Sequence, residues 1–331
     1  MSIIAPRYMT HSSKSEPVSA ISALPPGALR PRWSVVIPVY NRTEYLAQAL
    51  GSVLVQDPGV ERMQVCLVDN SSVAIDWSAI LSPAQLARVE LHRNPRTLPV
   101  HENWNRCIEL ARGTLVHLLH DDDWVEPDFY RCVEQMRSES PEAGMFAVRS
   151  FEVDAAGIIE HVTRNCLDSR AVSRDLRAFF PRNPLQCPGV VVQRFAYEAL
   201  GGFRGDMGYV IDLEMWIRIV ASFGIRFSHR ILSSYRVSAG NGTHVVRQTG
   251  QNLRDLLAFS QLITARHPEL QAVDWRAHLL AFARAQEASC RQQGEGSAAA
   301  HARRFWFQHA TPARRLLRHC QELYAVLARR R

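Results

Sequence analysis

Short apolar runs alternate with helical patterns between residue 33 and about residue 120. The runs Ser34 to Ile37, Met63 to Val68 and Thr114 to Leu119 are almost continuously apolar, which is typical of strands covered by helices on both faces. Segments in which apolar residues recur at helical spacing lie between these runs. An alternation of strands and helices is typical of a parallel sheet with right-handed crossovers. The pattern predicts an α/β fold with three layers, in which a central sheet lies between helices. Gly113 is expected to end a helix in the left-handed conformation.

The pattern changes after Pro141. The segments Met145 to Val153 and Ile158 to Val162, joined by a turn at DAAG, predict a hairpin added to the sheet. The sheet is therefore expected to be mixed but mainly parallel. Beyond Val245 the apolar residues recur at helical spacing to the end of the chain, with one interruption at GEGSAAA.

These patterns divide the chain into three parts. Residues 1–32 are rich in serine, proline and alanine without a sustained period, and predict a disordered leader. Residues 33–244 form the predicted α/β domain. Residues 245–331 form a predicted helical C-terminal region.

Composition narrows the class of protein. The chain has 331 residues, of which 47% are hydrophobic and 21% are charged, and this excludes a disordered, collagen-like or coiled-coil protein. It lacks an apolar run that could span a membrane and the apolar core of a secretory signal, so we expect a soluble, cytoplasmic protein. The seven cysteines include no CxxC pair and predict buried, reduced thiols.

The net charge of +7 is concentrated in the C-terminal tail. Residues 301–331 hold eight arginines and one acid, Glu322, whereas the rest of the chain is balanced. A predicted amphipathic helix starts at Thr311 and Pro312, and the aromatic segment RRFWF precedes it. Such a helix can lie on an anionic membrane, which predicts peripheral contact through residues 303–331. A helix packed on the protein with its arginines in solvent explains the same pattern.

Polar side chains follow three predicted strands at the edge where open α/β sheets bind ligands. They lie in the segments Pro38 to Asn41, Asp69 to Ser72, and His120 to Asp123. Three adjacent carboxylates at a sheet end repel one another, and a divalent cation held with substrate phosphates would relieve that repulsion. The alternative is a solvated acidic turn before a helix.

A further carboxylate, Asp212, lies at the start of a predicted helix. It is either a helix cap or a base that accepts a proton from an attacking hydroxyl. The residues alone leave both interpretations open.

Taken together and in order, these motifs resemble the family 2 glycosyltransferases, which are inverting enzymes of the A-type glycosyltransferase fold. The resemblance spans about residues 33 to 240. It rests on SVVIPVYNR at 34–42, LVDNSS at 67–72, NWNRCIELARG at 103–113, LLHDDDWVEP at 118–127, and GGF with IDLEMWIR at 201–218.

The resemblance implies a role for each matching residue. Asp122 and Asp123 would hold Mn²⁺ or Mg²⁺ against the donor diphosphate, and Asp212 would deprotonate the acceptor hydroxyl. The residues implied in binding the nucleotide-sugar donor are Pro38, Tyr40, Asn41, Asp69, Asn105 and Asp121.

The chain departs from the family pattern at three places. His120 stands where the family often has an aspartate, and a polar residue at a strand end is its simplest interpretation. Ile211 stands where an acid often precedes Asp212. The histidine expected two residues after the Tyr235–Arg236 pair is missing, although His244 is close enough in sequence to replace it.

The resemblance implies an inverting hexosyl- or N-acetylhexosaminyltransferase. We expect a UDP-sugar donor and a glycan or lipid-linked glycan acceptor in surface polysaccharide synthesis. A non-catalytic protein that uses its basic helix on nucleic acid or membrane is the alternative. We expect no nucleic-acid partner, because the first 300 residues are neutral and carry no binding motif. A nucleotidyltransferase would be expected to carry a glycine-rich loop after its first strand, and PVYNR has no glycine.

Overall fold

The computed structural model describes residues 18–25, 27, 30–165, 167–180, 182–238 and 242–328, with side chains described up to residue 321. These residues fall into two compact units, one ending before residue 240 and the other beginning there. Each unit is described separately below.

The first unit is built on one mixed β-sheet. Its strands are β1 (Trp33–Val39), β2 (Met63–Asp69), β3 (Glu90–Arg93), β4 (Leu115–Leu118), β5 (Trp124–Val125), β6 (Met145–Val153), β7 (Ile159–Val162), β8 (Val190–Gln193) and β9 (Ile225–Arg236). Its helices are α1 (Leu46–Leu54), α2 (Pro83–Arg88), α3 (Val100–Leu110), α4 (Phe129–Glu139), α5 (Arg194–Leu200) and α6 (Ile211–Phe223). The sheet order is β3-β2-β1-β4-β8-β6-β9-β5, with β7 on β6.

Strand directions confirm the predicted mixed α/β sheet. The half formed by β3, β2, β1 and β4 is entirely parallel. The strand β8 runs antiparallel to both β4 and β6, while β9 runs parallel to β6. The predicted hairpin is present as β6 and β7, and its turn contains Gly157 with a positive φ.

Continuous apolar runs put the central strands in the core. Every residue of β1 and β2 is buried, as expected for strands with both faces covered. On α1, Leu46, Leu50 and Val53 recur at helical spacing and join the same apolar cluster as Val35 and Ile37. The carboxyl ends of β1, β2 and β4 are thereby fixed beside one another.

Gly113 corrects one expectation. It does not have the predicted left-handed conformation, since α3 ends at Leu110 and Ala111 is already extended. Instead, its backbone lies against β1, where a Cβ atom would come within 2.4 Å of the Ser34 nitrogen and the Trp33 carbonyl carbon. Glycine is therefore needed here for close approach of two backbones rather than for its φ angle.

This contact predicts a large effect of one methyl group. Gly113→Ala should lower the free energy of unfolding by about 3 kcal/mol, because backbone atoms on β1 cannot move aside as a side chain would. The matched control is Gly51→Ala in α1, where the added methyl meets open space and should raise stability by about 0.5 kcal/mol. Denaturant titration of both variants measures the difference, and equal stabilities would contradict this account.

Part of the predicted leader packs on the domain. Residues 1–17, 26 and 28–29 of that leader lie outside the described residues. Within residues 18–25, Ile21 is buried, the Ser19 carbonyl accepts from the Gly202 N–H, and the Ser22 carbonyl accepts from Arg194. The expectation that order begins at Trp33 is therefore wrong, because contacts distant in sequence hold a segment that has no period of its own.

The second unit is helical, as predicted. It contains α7 (Gly242–Gln248), α8 (Gln251–Arg266), α9 (Trp275–Gln292), α10 (Gly296–His309) and α11 (Pro312–Ala328). The predicted interruption at GEGSAAA is shorter than expected, because only its first two residues, Gly294 and Glu295, lie between α9 and α10 and the other five begin α10. The predicted opening at Thr311 and Pro312 starts α11. Within the described part of the chain, no helix has the length and apolar character needed to cross a bilayer.

The helix α11 packs on its unit through a charged residue. Between residues 312 and 321, Arg318 alone is buried; it pairs with Glu287 at 2.5 Å and stacks on Trp306 at 4.7 Å. Leu316 and Leu317 are 67% and 60% exposed. These two leucines of α11 therefore face away from the rest of its unit.

The cysteines largely follow the prediction. Five are buried free thiols, at positions 66, 107, 132, 187 and 290, and burial raises the pKa of Cys66 and Cys107. Cys320 is exposed on α11, whereas Cys166 lies outside the described residues.

Candidate functional site

The loops after β1 and β2 are tied together at the carboxyl edge of the sheet. Asn41 has a φ of 54°, a left-handed conformation that asparagine tolerates better than most residues. Its N–H donates to Ser71 Oγ at 2.8 Å, and its Oδ1 accepts from the N–H and hydroxyl of Ser72 at 2.9 and 3.0 Å. The segments PVYN and DNSS therefore meet, as their positions at strand ends predicted.

Asp69 joins the ends of β2 and β3. Its Oδ1 accepts from the Ser71 N–H at 2.8 Å, and its Oδ2 accepts from the Ile75 N–H and pairs with Arg93. Pro38 is opposite Val68 in the ladder. Tyr40 is half-buried on the loop that follows β1. This edge supplies the residues whose expected role is donor binding.

The three aspartates after β4 are buried, which argues against a solvated acidic turn. Arg42 Nη2 lies 3.1 Å from Asp121 Oδ1 and 2.6 Å from Asp122 Oδ2. Asp123 Oδ1 instead accepts from the Arg236 N–H at 2.9 Å. The loop thus divides into two carboxylates that face Arg42 and one that faces β9.

Burial makes Asp121 and Asp123 hold their protons more tightly. Burial and the charge of Asp122 raise the pKa of Asp121 to about 7, although Arg42 acts in the opposite sense. Burial raises the pKa of Asp123 to about 6, opposed by His120. Each pKa shift shows that additional positive charge would be favourable at this loop.

The residues fit a divalent cation. His120, Asp122 and Asp123 each offer a ligand atom, and these atoms lie within 4.8 Å of one another. Among the described residues, Asp123 Oδ2 and His120 Nε2 are buried with no hydrogen-bond partner. Carboxylate oxygens suit Mg²⁺ and Mn²⁺, and an imidazole nitrogen favours Mn²⁺ over Mg²⁺. His120, interpreted from the sequence as a polar strand-end residue, belongs to this group.

A second group of possible ligands fits a cation poorly. It consists of Cys66, Glu90 and His92 on β2 and β3. Arg112 already pairs with Glu90 at 2.6 Å, and burial raises the pKa of the Cys66 thiol. The thiol is therefore held in its neutral form, which binds metals weakly.

Arg236, at the end of β9, locks the acidic loop in place. This buried guanidinium donates to the carbonyl oxygens of Asp122 at 3.0 Å and Ala155 at 2.7 Å, and to Gln48 Oε1 at 2.7 Å. It also stacks on Tyr45 at 4.0 Å. The sequence analysis used Arg236 only as part of the Tyr235–Arg236 pair after which a histidine is expected. In the structure Arg236 is a positioning residue, because it joins α1, the acidic loop and the β6–β7 turn.

Asp212 lies in the first turn of α6. Its Oδ2 accepts from Asn183 Nδ2 at 2.7 Å, and Oδ1 accepts from the N–H of the next residue, Leu213. Burial raises the pKa of Asp212 to about 6, while His120 acts in the opposite sense. His120 therefore lies within electrostatic range of both Asp212 and Asp123. A carboxylate with a pKa near 6 is suited to general-base chemistry.

The glycine-rich loop before α6 is fixed from two sides. Asn105 on α3 donates to the Phe203 carbonyl at 2.9 Å and accepts from the Phe203 N–H at 2.6 Å. Arg218, paired with the buried Glu214, donates to the Gly202 carbonyl at 2.7 Å. Asn105 thus positions this loop through both polar atoms of its amide. Its role in donor binding stays a prediction.

His244 belongs to the second unit. Its ring lies 3.6 Å from the Glu295 carboxylate in that unit. That His244 replaces the missing metal-ligand histidine stays a prediction.

Comparison with known proteins places this geometry in a family. The model for "Glycosyl transferase family 2" matches residues 34–195, which include β1, β2 and the acidic loop. This domain belongs to glycosyltransferase family 2. Asp212 and Arg236 lie beyond the matched segment, so their roles depend on the geometry described above.

Relatives of this family 2 glycosyltransferase differ in how much of the chain they match. The uncharacterized protein MT1568 of Mycobacterium tuberculosis is 29% identical over 260 residues, which cover 72% of this chain and 77% of that protein. Chondroitin synthase of Escherichia coli is 24% identical over 199 residues, covering 57% of this chain. The chain spans only 26% of the length of chondroitin synthase.

Solved structures confirm the A-type glycosyltransferase fold. A mannosyltransferase from Pyrobaculum calidifontis, in complex with GDP-Man and Mn²⁺, aligns with a TM-score of 0.52 at 19% identity, covering 93% of this chain and 84% of that one. S. aureus TarS 1-349, in complex with UDP-GlcNAc, aligns with a TM-score of 0.50 at 13% identity, covering 83% and 89%.

Proposed function

We propose that this glycosyltransferase is a metal-dependent inverting enzyme. It transfers a hexosyl or N-acetylhexosaminyl group from a nucleotide-diphosphate donor, a UDP-sugar, to a hydroxyl of a glycan or lipid-linked glycan. The observation that carries the proposal is the group of His120, Asp122 and Asp123, whose ligand atoms lie within 4.8 Å of one another at the carboxyl edge of the sheet. Asp212 in the first turn of α6 lies within electrostatic range of His120 and supports the proposal. In this proposal the transfer is one step of surface polysaccharide synthesis and takes place in the cytoplasm.

Each part of the cleft has a task in this reaction. Pro38, Tyr40, Asn41 and Asp69 bind the nucleotide at the strand ends. Asp122, Asp123 and His120 would hold Mn²⁺ or Mg²⁺, which supplies positive charge for the leaving diphosphate, with Asp121 beside them.

Asp212 completes the reaction by accepting the proton of the acceptor hydroxyl. The hydroxyl oxygen forms a bond to the anomeric carbon while the bond from that carbon to the diphosphate oxygen breaks. A single displacement inverts the configuration. The solved complexes of the same fold, with GDP-Man and Mn²⁺ and with UDP-GlcNAc, support a nucleotide-sugar donor.

A donor panel tests this function. The purified chain is incubated with UDP-, GDP- and dTDP-sugars and Mn²⁺, with and without EDTA, and release of the nucleoside diphosphate is measured. We expect binding and slow hydrolysis or transfer with a UDP-sugar that EDTA abolishes, and NMR of a transfer product should show inversion. Failure of every donor to bind or react would refute the proposal.

We propose that α11 brings the enzyme to an anionic lipid surface, where a lipid-linked acceptor would be presented. The exposed Leu316 and Leu317 form an apolar face, and the exposed Arg314 and Arg315 lie beside it. Arg318 turns inward to Glu287, so the leucines are not used in packing the unit. Apolar side chains next to arginines match the interface of an anionic bilayer.

Vesicle flotation tests this membrane contact. The double variant Leu316→Glu with Leu317→Glu should reduce binding to phosphatidylglycerol vesicles by about tenfold or more, because it replaces apolar contact with repulsion. Val55→Glu with Val60→Glu is the matched control, since both valines are exposed on the first unit. Equal losses in the two double variants would reject a specific role for α11.

A further inference from the structure

A cation of the chain itself already contacts the acidic loop. Arg42 Nη2 bridges Asp121 Oδ1 at 3.1 Å and Asp122 Oδ2 at 2.6 Å. The two aspartates are buried, whereas 26% of the Arg42 side chain is exposed. The guanidinium thus bridges the two carboxylates and is itself partly open to solvent.

The loop after β1 holds Arg42 at this place. The preceding residue, Asn41, is fixed to Ser71 and Ser72 by three hydrogen bonds, so the backbone on which Arg42 begins is anchored. The Tyr45 ring lies 5.7 Å from the guanidinium carbon. The backbone is fixed while the long side chain retains rotatable bonds, which allows the guanidinium to change partners without movement of the loop.

Asp122 is shared between two cation positions. It contacts Arg42, and it also belongs to the group of His120, Asp122 and Asp123 whose ligand atoms lie within 4.8 Å of one another. A divalent ion in that group and the guanidinium would place two cations at one carboxylate. Their repulsion weakens the contact between Arg42 and Asp122.

A guanidinium released from this contact needs another anion. Its planar fork of N–H groups suits the oxygens of a phosphate, and the donor diphosphate would bring such oxygens to the same edge of the sheet. We infer that Arg42 neutralises Asp121 and Asp122 when the site holds no metal, and binds the donor diphosphate when metal and nucleotide enter together. This inference rests on the proposed nucleotide-sugar function.

The exchange couples metal binding to nucleotide binding. Metal alone must compete with Arg42 for Asp122, so it binds weakly. Metal together with a nucleoside diphosphate gives Arg42 a new partner, so each ligand strengthens the binding of the other.

Binding measurements separate this exchange from a purely structural role. Mn²⁺ is titrated alone and with UDP, and free Mn²⁺ is followed by electron paramagnetic resonance. In Arg42→Gln, Mn²⁺ alone should bind about tenfold more tightly, because a competing charge is removed. UDP with saturating Mn²⁺ should bind about tenfold more weakly, because a charged hydrogen bond is lost. The mutual strengthening of Mn²⁺ and UDP should shrink correspondingly.

Two further variants control for charge and folding. Arg131→Gln removes one exposed arginine of α4 that pairs with Asp128, the residue before that helix, and both affinities should stay as in the wild type. Arg42→Lys keeps the charge without the planar fork, so Mn²⁺ alone should bind as in the wild type while UDP binds more weakly. If Arg42→Gln weakens or leaves unchanged the affinity for Mn²⁺ alone, the inference is wrong. If the wild type binds neither UDP nor GDP with Mn²⁺, the proposed function itself fails.

Discussion

Asp212→Asn should reduce sugar transfer by about 1,000-fold while donor binding stays close to that of the wild type. The amide keeps the size of the side chain but cannot accept the proton of the acceptor hydroxyl, and a general base contributes rate factors of this order. Asp212 contacts Asn183 and Leu213 and has no contact with the acidic loop among the hydrogen bonds described above, so metal and nucleotide should still bind. Calorimetry for donor binding and a transfer assay give the two readouts.

The pH profile provides a second readout for Asp212. Burial raises its pKa to about 6, and only the deprotonated carboxylate accepts a proton. Turnover at saturating substrate should therefore fall as the pH drops through about 6 and reach a plateau above it. Transfer by Asp212→Asn within tenfold of the wild type, or the same acid limb in the residual activity of the variant, would rule out the assigned role.

Asp122→Asn combined with Asp123→Asn should weaken Mn²⁺-dependent nucleotide binding by about 100-fold or more. Two of the three grouped ligands lose their charge, and neutral amides bind hard divalent ions far more weakly than carboxylates do. Folding should be retained, because burial already disfavours the charge on Asp123 and raises its pKa to about 6. Thermal denaturation without metal checks this point.

A matched double variant controls for the loss of two charges. Asp76→Asn with Asp168→Asn removes two exposed carboxylates that pair within their own turns. Nucleotide binding should be unchanged in this control. If the acidic-loop variant binds UDP with Mn²⁺ as the control does, the metal-holding role of Asp122 and Asp123 is wrong.

Strands and strand-end residues were predictable because their signals are local. The continuous apolar runs before Pro38, Asp69 and His120 locate β1, β2 and β4, and the parallel arrangement puts their ends at one edge. The acidic loop and the base-like Asp212 follow from motif resemblance. The fold and these site positions therefore required no knowledge of contacts between distant residues.

Partners distant in sequence were not predictable in this way. Arg42 pairs with Asp121, 79 residues away, and Arg236 donates to Asp122, 114 residues away. Arg42 closes the SVVIPVYNR motif and Arg236 belongs to the Tyr235–Arg236 pair, but neither motif shows which distant groups these arginines contact. Only the placement of β9 against β5 makes Arg236 the residue that locks the acidic loop.

Local signals misassigned Gly113 and gave no sign of the backbone contacts of Asn105. A glycine after a helix, such as Gly113, is commonly interpreted as a left-handed cap. An asparagine within a family motif, such as Asn105, is commonly interpreted as a residue that binds the donor. The structure gives each a steric or backbone-holding task, because β1 approaches Gly113 and the Phe203 backbone uses both atoms of the Asn105 amide. Which surface approaches a residue is a property of the tertiary structure, so neither task is visible in the sequence.

The insertion of β9 between β6 and β5 has a consequence for synthesis of the chain. The strand β9 is synthesised after both of its neighbours, β5 and β6. The N–H that donates to Asp123 Oδ1 belongs to Arg236, the last residue of β9. A nascent chain that stops at residue 220 carries the motifs from SVVIPVYNR to IDLEMWIR but lacks this strand. Long-range pairing of this kind is slow to form. The acidic loop can therefore reach its final arrangement only after β9 has been made, and truncated translation products would contain these motifs without that arrangement.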